Sequence, residues 1–238
     1  MYFQLENAKA KHEPQGLCSI DLPVGTAGKY PLVIAVHGSN RGAKDYEECP
    51  FYAEQKAIAL RHGCAFGVIS NCFDTWGTDD GLYNLKAFAD HLLESYPVKK
   101  RVILWATSAG GVLANRMVKE YPHMVAGVIG TFPVYDLTST FGLKTCRVGW
   151  RSKTEEEFLS NISGKNPPEF ADLLKGYKYY ITHGTADTAV PVEQNSIKLK
   201  ADLGDNVVLQ LIEGGVHSTA NFAFYGETVE RAFEELNK

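Results

Sequence analysis

The feature that most limits the folds open to this chain is a series of short, nearly continuous apolar runs. "PLVIAVHG" (31–38), "CAFGVIS" (64–70), "RVILWA" (101–106), "VAGVIG" (125–130), "KYYITHG" (178–184) and "NVVLQLIEG" (206–214) are such runs, each ending in Gly, Ser or Ala. A strand that is apolar on both faces has to be covered on both faces. That is the situation of a parallel sheet packed between helices, not of an antiparallel sheet with one wet side. Helical patterns fill the gaps at 45–61, 79–96, 109–121, 192–203 and 219–236. In the second, "LYNLKAFADHLLESY" places apolar residues three and four apart, and Asp45 and Asp79 read as N-caps of the first two. Strand and helix in alternation predict an α/β fold: a doubly wound, mostly parallel sheet flanked by helices and joined by right-handed crossovers. The segments "YFQLEN" and "LCSIDLP" are expected to add an antiparallel edge hairpin.

With 238 residues, 45% of them apolar, the chain has the size of one domain with a substantial core, so 1–238 reads as a single unit. Residues 131–176 break the rhythm. They show no strand pattern, and "TEEEFLSNI" and "PPEFADLLKG" read as two short helices. An insertion of this length in a compact sheet is expected to be a lid or a substrate wall.

Composition removes several functions. A net charge of −4 and the lack of a Lys/Arg stripe argue against nucleic acid as a partner. No apolar stretch approaches the ~18 residues of a membrane-spanning helix. The five cysteines, Cys18, Cys49, Cys64, Cys72 and Cys146, include no C-x-x-C pair, so neither a metal nor a redox motif is supported. They read as buried small hydrophobes, with Cys49 and Cys72 able to pair if the protein is exported. The opening "MYFQLENAKAKHEPQG" has no apolar signal core, which favours a cytoplasmic home unless a signal peptide has been removed.

Ligands of open α/β sheets bind at the carboxyl ends of the strands. The first run is followed by His37-Gly38-Ser39-Asn40-Arg41-Gly42 and the third by Thr107-Ser108-Ala109-Gly110-Gly111. The fifth leads through His183-Gly184-Thr185-Ala186-Asp187 to Val190-Pro191, and the last into Gly214-Gly215-Val216-His217-Ser218. Serine, aspartate and histidine thus fall in that order along one edge. A serine hydroxyl is a weak nucleophile that needs a base within reach, and the base needs a carboxylate to hold its tautomer. "ATSAG" alone does not separate a nucleophile from a serine that caps a helix. Asp187 and His217 at the ends of later strands do. Asp136 in "TFPVYDLTS" competes for the acid's place and is read as ordering the insertion. The backbone N–H groups of Ala109 and Ser39 are candidates to receive an oxyanion. His37 and His183 read as structural, and Arg41 as a solvated loop charge with substrate contact as its alternative. Trp76, Phe132 and Tyr135 are candidate substrate-pocket residues, with Phe73 beside them.

These motifs, "VHGSNRGAKDY", "ATSAGG", "HGTADTAVP" and "GGVH", resemble the α/β-hydrolase superfamily over nearly the full chain. Within it the chain looks like small single-domain serine esterases of the polyhydroxybutyrate-depolymerase-like and feruloyl-esterase-like groups, whose "HGxxxxAxxY" loop matches "HGSNRGAKDY". "FPVYDL" followed by "NISGKNP" is similar to hydrolases of the prolyl-oligopeptidase-like branch. The resemblance implies Ser108 as nucleophile, His217 as base, Asp187 as acid, and Ser39 and Ala109 as oxyanion amides. It also implies a small-molecule ester substrate and no cofactor or metal. Ala106 departs from the glycine expected two residues before the serine. A peptidase, for which no screening propeller is found in these 238 residues, and a thioesterase are the alternatives of the same chemistry. A non-catalytic ligand-binding module on the same fold is the alternative of a different class.

Overall fold

All six apolar runs form strands in the computed structural model, which describes residues 1–11, 15–25 and 28–237. Strands β1 (Tyr2–Gln4) and β2 (Leu17–Asp21) precede β3 (Tyr30–Val36), β4 (Ala65–Ile69), β5 (Val98–Thr107), β6 (Val125–Thr131), β7 (Tyr179–Gly184) and β8 (Val207–Ile212). Among the described residues they make one eight-stranded sheet in the order β1-β2-β4-β3-β5-β6-β7-β8. Strands β3 to β8 run parallel to one another, and β2 runs antiparallel to both β1 and β4. From β3 the chain first steps outward to β4 and then returns to place β5 on the other side. The strand order therefore reverses between β3 and β5, and a crevice opens at their carboxyl ends.

The helices are α1 (Asp45–Glu48), α2 (Pro50–Arg61), α3 (Asp79–Ser95), α4 (Gly110–Glu120), α5 (Lys144–Trp150), α6 (Glu155–Ile162), α7 (Ala171–Leu174), α8 (Lys198–Leu203) and α9 (Glu227–Leu236). Alternate strand residues feed two separate cores, as the two-residue period requires. Leu32, Ile34, Val102 and Leu104 pack against Leu85 and Phe88 of α3 and Leu113 and Met117 of α4. On the other face Val33, Ala35, Ile103 and Trp105 meet Phe51 and Ile58 of α2 and Val229 and Phe233 of α9. Each such large side chain removed from water contributes about 1.5–3 kcal/mol before conformational entropy is counted.

The helix boundaries depart from the expected ones for local reasons. The pattern at 45–61 is two helices because Pro50, with no N–H to give and its φ already set, opens a new one. Asp45 is therefore not an N-cap; it lies in α1 and accepts the Gly42 N–H. Thr78, not Asp79, caps α3, its hydroxyl accepting from Gly81 N–H at 3.2 Å. The 192–203 pattern contains one π-turn (Glu193–Ile197) before α8, and the 219–236 pattern contracts to α9 behind a 3₁₀ turn.

Residues 131–176 hold helices α5 to α7 and, among the described residues, no strand beyond the end of β6. Leu137, Cys146, Trp150, Phe158 and Ile162 pack onto Trp76, Ala109, Val112 and Val190. The indole N–H of Trp150 also donates to the Trp76 carbonyl at 3.1 Å. The segment is thus seated on the loop after β4 and on the start of α4. The Cys49–Cys72 pairing does not occur: the five cysteines form no disulfide, and all but the half-buried Cys49 are buried. Burial pushes the Cys18 and Cys146 thiols up to about 12, which keeps them protonated and inert. Among the described residues no helix is long and apolar enough to cross a membrane.

Candidate active site

A tight backbone turn of the crevice is at Ser108, between β5 and α4. Ser108 takes a left-handed φ of 52°, which a non-glycine residue adopts only under constraint from its surroundings. That constraint is main-chain: Ser108 N–H donates to Thr131 O (3.1 Å), and Ser108 O accepts from Gly111 N–H (2.9 Å) and Val134 N–H (2.8 Å). A Cβ at Gly110 would lie 2.0 Å from the Val36 carbonyl oxygen, and one at Gly111 2.3 Å from that of Val134. Small residues are therefore required after the serine, while Ala106 before it is accommodated fully buried in the α3/α4 core. Gly110→Ala is expected to cost about 3 kcal/mol, or roughly 10 °C in Tm by calorimetry, because the obstructing atom is backbone and cannot rotate away.

The loops after β7 and β8 are pressed together by a glycine contact. A Cβ at Gly184 would fall 2.1 Å from the Gly215 carbonyl oxygen, and Ala186 N–H donates to that same oxygen at 2.9 Å. This approach brings His217 beside Asp187. His217 Nδ1 lies 2.6 Å from Asp187 Oδ2, and His217 Nε2 lies 3.0 Å from Ser108 Oγ. The other carboxylate oxygen, Oδ1, accepts the backbone N–H groups of Ala189 (3.0 Å) and Val190 (2.8 Å).

His183 is read as structural, and its ring shows how. Its Nε2 is 2.9 Å from the Val190 carbonyl, an acceptor only, so this nitrogen carries the hydrogen. Its Nδ1 accepts from the Ser196 hydroxyl at 2.7 Å, and Nε2 also faces Asp187 Oδ2 at 3.3 Å. Burial pushes the Asp187 carboxyl upward, but hydrogen bonds from His183 and His217, aided by Val190 N–H, hold it well below the usual carboxylate range. An ionised Asp187 keeps the hydrogen of His217 on Nδ1. The Nε2 lone pair then faces the Ser108 hydroxyl, the arrangement a general base requires.

A second histidine orients the loop after β3. Fully buried His37 accepts the Asn71 N–H on Nε2 (2.8 Å), so its hydrogen is on Nδ1, which donates to the Gly38 carbonyl (2.7 Å). Desolvation lowers the His37 pKa, so the ring stays neutral. The Gly38 carbonyl and the Ser39 N–H lie in one trans peptide plane and point opposite ways, so this bond turns the Ser39 amide away from His37. Neither the Ser39 nor the Ala109 N–H has an acceptor among the described residues. Ala109 is fully buried, where an unpartnered amide is uncommon, and Ser39 is half-buried. The Ser39 hydroxyl accepts from the Trp76 indole N–H at 2.9 Å and retains its own hydrogen to donate.

Residues 74–232 match the prolyl oligopeptidase family, Peptidase_S9. The chain belongs to the prolyl oligopeptidase family. It is also 28% identical over 198 residues to poly(3-hydroxyalkanoate) depolymerase C of Paucimonas lemoignei, over 73% of this chain and 45% of the relative. The acylaminoacyl peptidase of Pyrococcus horikoshii superposes with a TM-score of 0.74 at 16% identity, covering 100% of this chain and 42% of that one. The S-formylglutathione hydrolase of Agrobacterium tumefaciens superposes with a TM-score of 0.75 at 11% identity, covering 100% of this chain and 94% of that one. The chain thus spans less than half the length of the depolymerase and of the peptidase. The structural likenesses establish the α/β-hydrolase fold.

In this prolyl oligopeptidase-family chain a cavity of about 400 Å³ opens over Ser108 and His217. Trp76 and Phe132 line it, and Phe132 sits with its ring 4.5 Å from that of His217. Tyr135 does not line it. Phe132 takes a left-handed φ of 38°, and beyond Pro133 the chain carries Tyr135 into the α3/α4 core, where its hydroxyl donates to Asp202 (2.8 Å). Phe73 is not among the lining residues either. Asp136 lies outside the His217 relay: it accepts from Thr138, from Asn166 (2.9 Å) and from Lys198, and so orders the insertion. Residues not singled out in the sequence line it as well. Tyr52 of α2 and, from the insertion, Leu143 and Thr145 face the cavity, and no local pattern marks these positions. Arg41, read as a solvated loop charge with substrate contact as its alternative, also lines it.

Proposed function

We propose that the chain is a carboxylic-ester hydrolase working through an acyl-enzyme on Ser108. The observation that carries this reading is the continuous Ser108–His217–Asp187 relay beside two unpartnered amides. Ser108 Oγ attacks the ester carbonyl carbon as His217 Nε2 takes its proton. The carbonyl oxygen becomes an oxyanion that accepts from the Ser39 and Ala109 N–H groups, and Asp187 stabilises the imidazolium. His217 then passes the proton to the leaving alkoxide, and the alcohol departs. A water, deprotonated by His217, attacks the acyl-enzyme, and collapse returns the proton to Ser108 and releases the acid. Residues 131–176 serve as a substrate wall through Leu143 and Thr145, seated by the packing of α5 and α6.

Support for esters comes from the likeness to a depolymerase named for poly(3-hydroxyalkanoate) and from the low demand an alkoxide places on leaving-group protonation. A peptidase is the second reading, favoured by the family and by the acylaminoacyl peptidase likeness. The two are separated with unactivated substrates, since activated esters yield to either kind of enzyme. Ethyl and glyceryl butyrates are expected to be turned over, and N-acetylated peptides of similar size left intact in chromatographic assays. Cleavage of the peptides at comparable kcat/KM would replace the ester reading by the peptidase one.

A further inference from the structure

We infer that Arg41 is a specificity-determining residue that selects esters carrying a carboxylate, an inference that rests on the ester-hydrolase reading above. The cavity over Ser108 has mostly apolar and hydroxyl-bearing walls. Among its lining residues Arg41 alone carries a permanent charge, and no Asp, Glu or Lys faces the space. The carboxylate of the relay, Asp187, is screened behind His217 with 1% of its side chain exposed.

Arg41 is braced, unlike a charge left to wander on a loop. Its Nη1 donates to Asp45 Oδ1 at 2.9 Å, and Asp45 Oδ2 is itself held by the Gly42 N–H at 2.8 Å. The guanidinium carbon lies 5.8 Å from the centroid of the Tyr52 ring, which lines the same cavity. Asp45 takes one edge of the guanidinium. Nε and Nη2 have no hydrogen-bond partner among the described residues. A planar fork with donors to spare, fixed at the wall of an otherwise uncharged cavity, matches a carboxylate better than any neutral group. Trp76, Phe132 and Leu143 supply apolar surface for the carbon chain between that carboxylate and the scissile ester.

The carboxylate can sit on the acyl side or on the alcohol side of the ester, so the test has two arms. One compares mono(4-nitrophenyl) adipate with 4-nitrophenyl hexanoate. The other compares 4-carboxyphenyl butyrate with its methyl ester. All rates are taken above a Ser108→Ala blank. In at least one arm the wild-type kcat/KM is expected to favour the carboxylate ester by about tenfold, as one charge-assisted contact at a half-exposed site provides. Arg41→Gln should lower that ratio by about tenfold and Arg41→Lys restore part of it, and added salt should erode the wild-type preference. Equal loss on charged and neutral esters in Arg41→Gln would make Arg41 a loop brace and overturn the inference. So would a wild-type ratio near one in both arms. If no ester is cleaved above the blank, the ester reading itself fails and the inference with it.

Discussion

Ser108→Ala is expected to lower kcat on 4-nitrophenyl butyrate by about 10⁵- to 10⁶-fold and to abolish labelling by a fluorophosphonate probe. The substitution removes a single oxygen, Oγ, which has His217 Nε2 as its hydrogen-bond partner. Everything that shapes the turn is main-chain: the bonds to Thr131, Gly111 and Val134, and the closeness of Gly110 to Val36. Alanine keeps the Cβ at the same left-handed φ, so Tm should be unchanged and the loss purely chemical. Undiminished turnover or labelling in a folded Ser108→Ala protein would remove Ser108 from the reaction. It would also revive the reading of this chain as a ligand-binding module.

Asp187→Asn is expected to reduce kcat by about 10⁴-fold, the size of effect a wrong histidine tautomer produces in such a relay. Oδ1 of Asp187 is tied down by two backbone N–H groups, which only an oxygen can accept. An asparagine must therefore keep its oxygen there and turn its NH₂ toward His217 Nδ1. That nitrogen becomes the acceptor, the hydrogen moves to Nε2, and a donor faces the Ser108 hydroxyl where a lone pair is needed. Alanine at the same position imposes no tautomer, so Asp187→Asn should be no better than Asp187→Ala. An asparagine variant within tenfold of wild type would contradict the argument. The same carboxylate has a stability signature. Its pKa is lower in the folded protein than the ~3.9 of a free aspartate, so its contribution is fully present above that value and is lost as pH falls through the folded one. The Tm gap between wild type and Asp187→Asn should be present at pH 7 and narrow in acid.

Ser108, Asp187 and His217 could be picked out from the residues because parallel strands deliver their carboxyl ends to one edge. Position relative to a strand end is a property that apolar runs display. Trp76 and Ser39 illustrate the opposite case. Their hydrogen bond joins loops 37 residues apart, and nothing local in either loop refers to the other. Tyr135 went astray because side-chain direction past β6 depends on the left-handed turn at Phe132, a conformation no residue preference predicts for phenylalanine. For Arg41 the sequence left two readings open, and its place at the cavity depends on tertiary structure: α2 is restarted by Pro50, and Tyr52 in its first turn reaches under the guanidinium. The insertion showed its two helices in composition, but its seat on Trp76 and Val112 comes from tertiary packing alone.

The contact between Gly184 and Gly215 ties the Ser108–His217 pair to an edge of the sheet. Ser108 and its turn belong to the middle of the sheet, whereas His217 is carried by the loop behind β8, an edge strand. Without β8 on β7 and the close approach of those two glycines, Ser108 has no His217 beside it. The pairing of Ser108 with His217 is thus a product of the β7–β8 edge, and it is absent from any state in which that edge is undone.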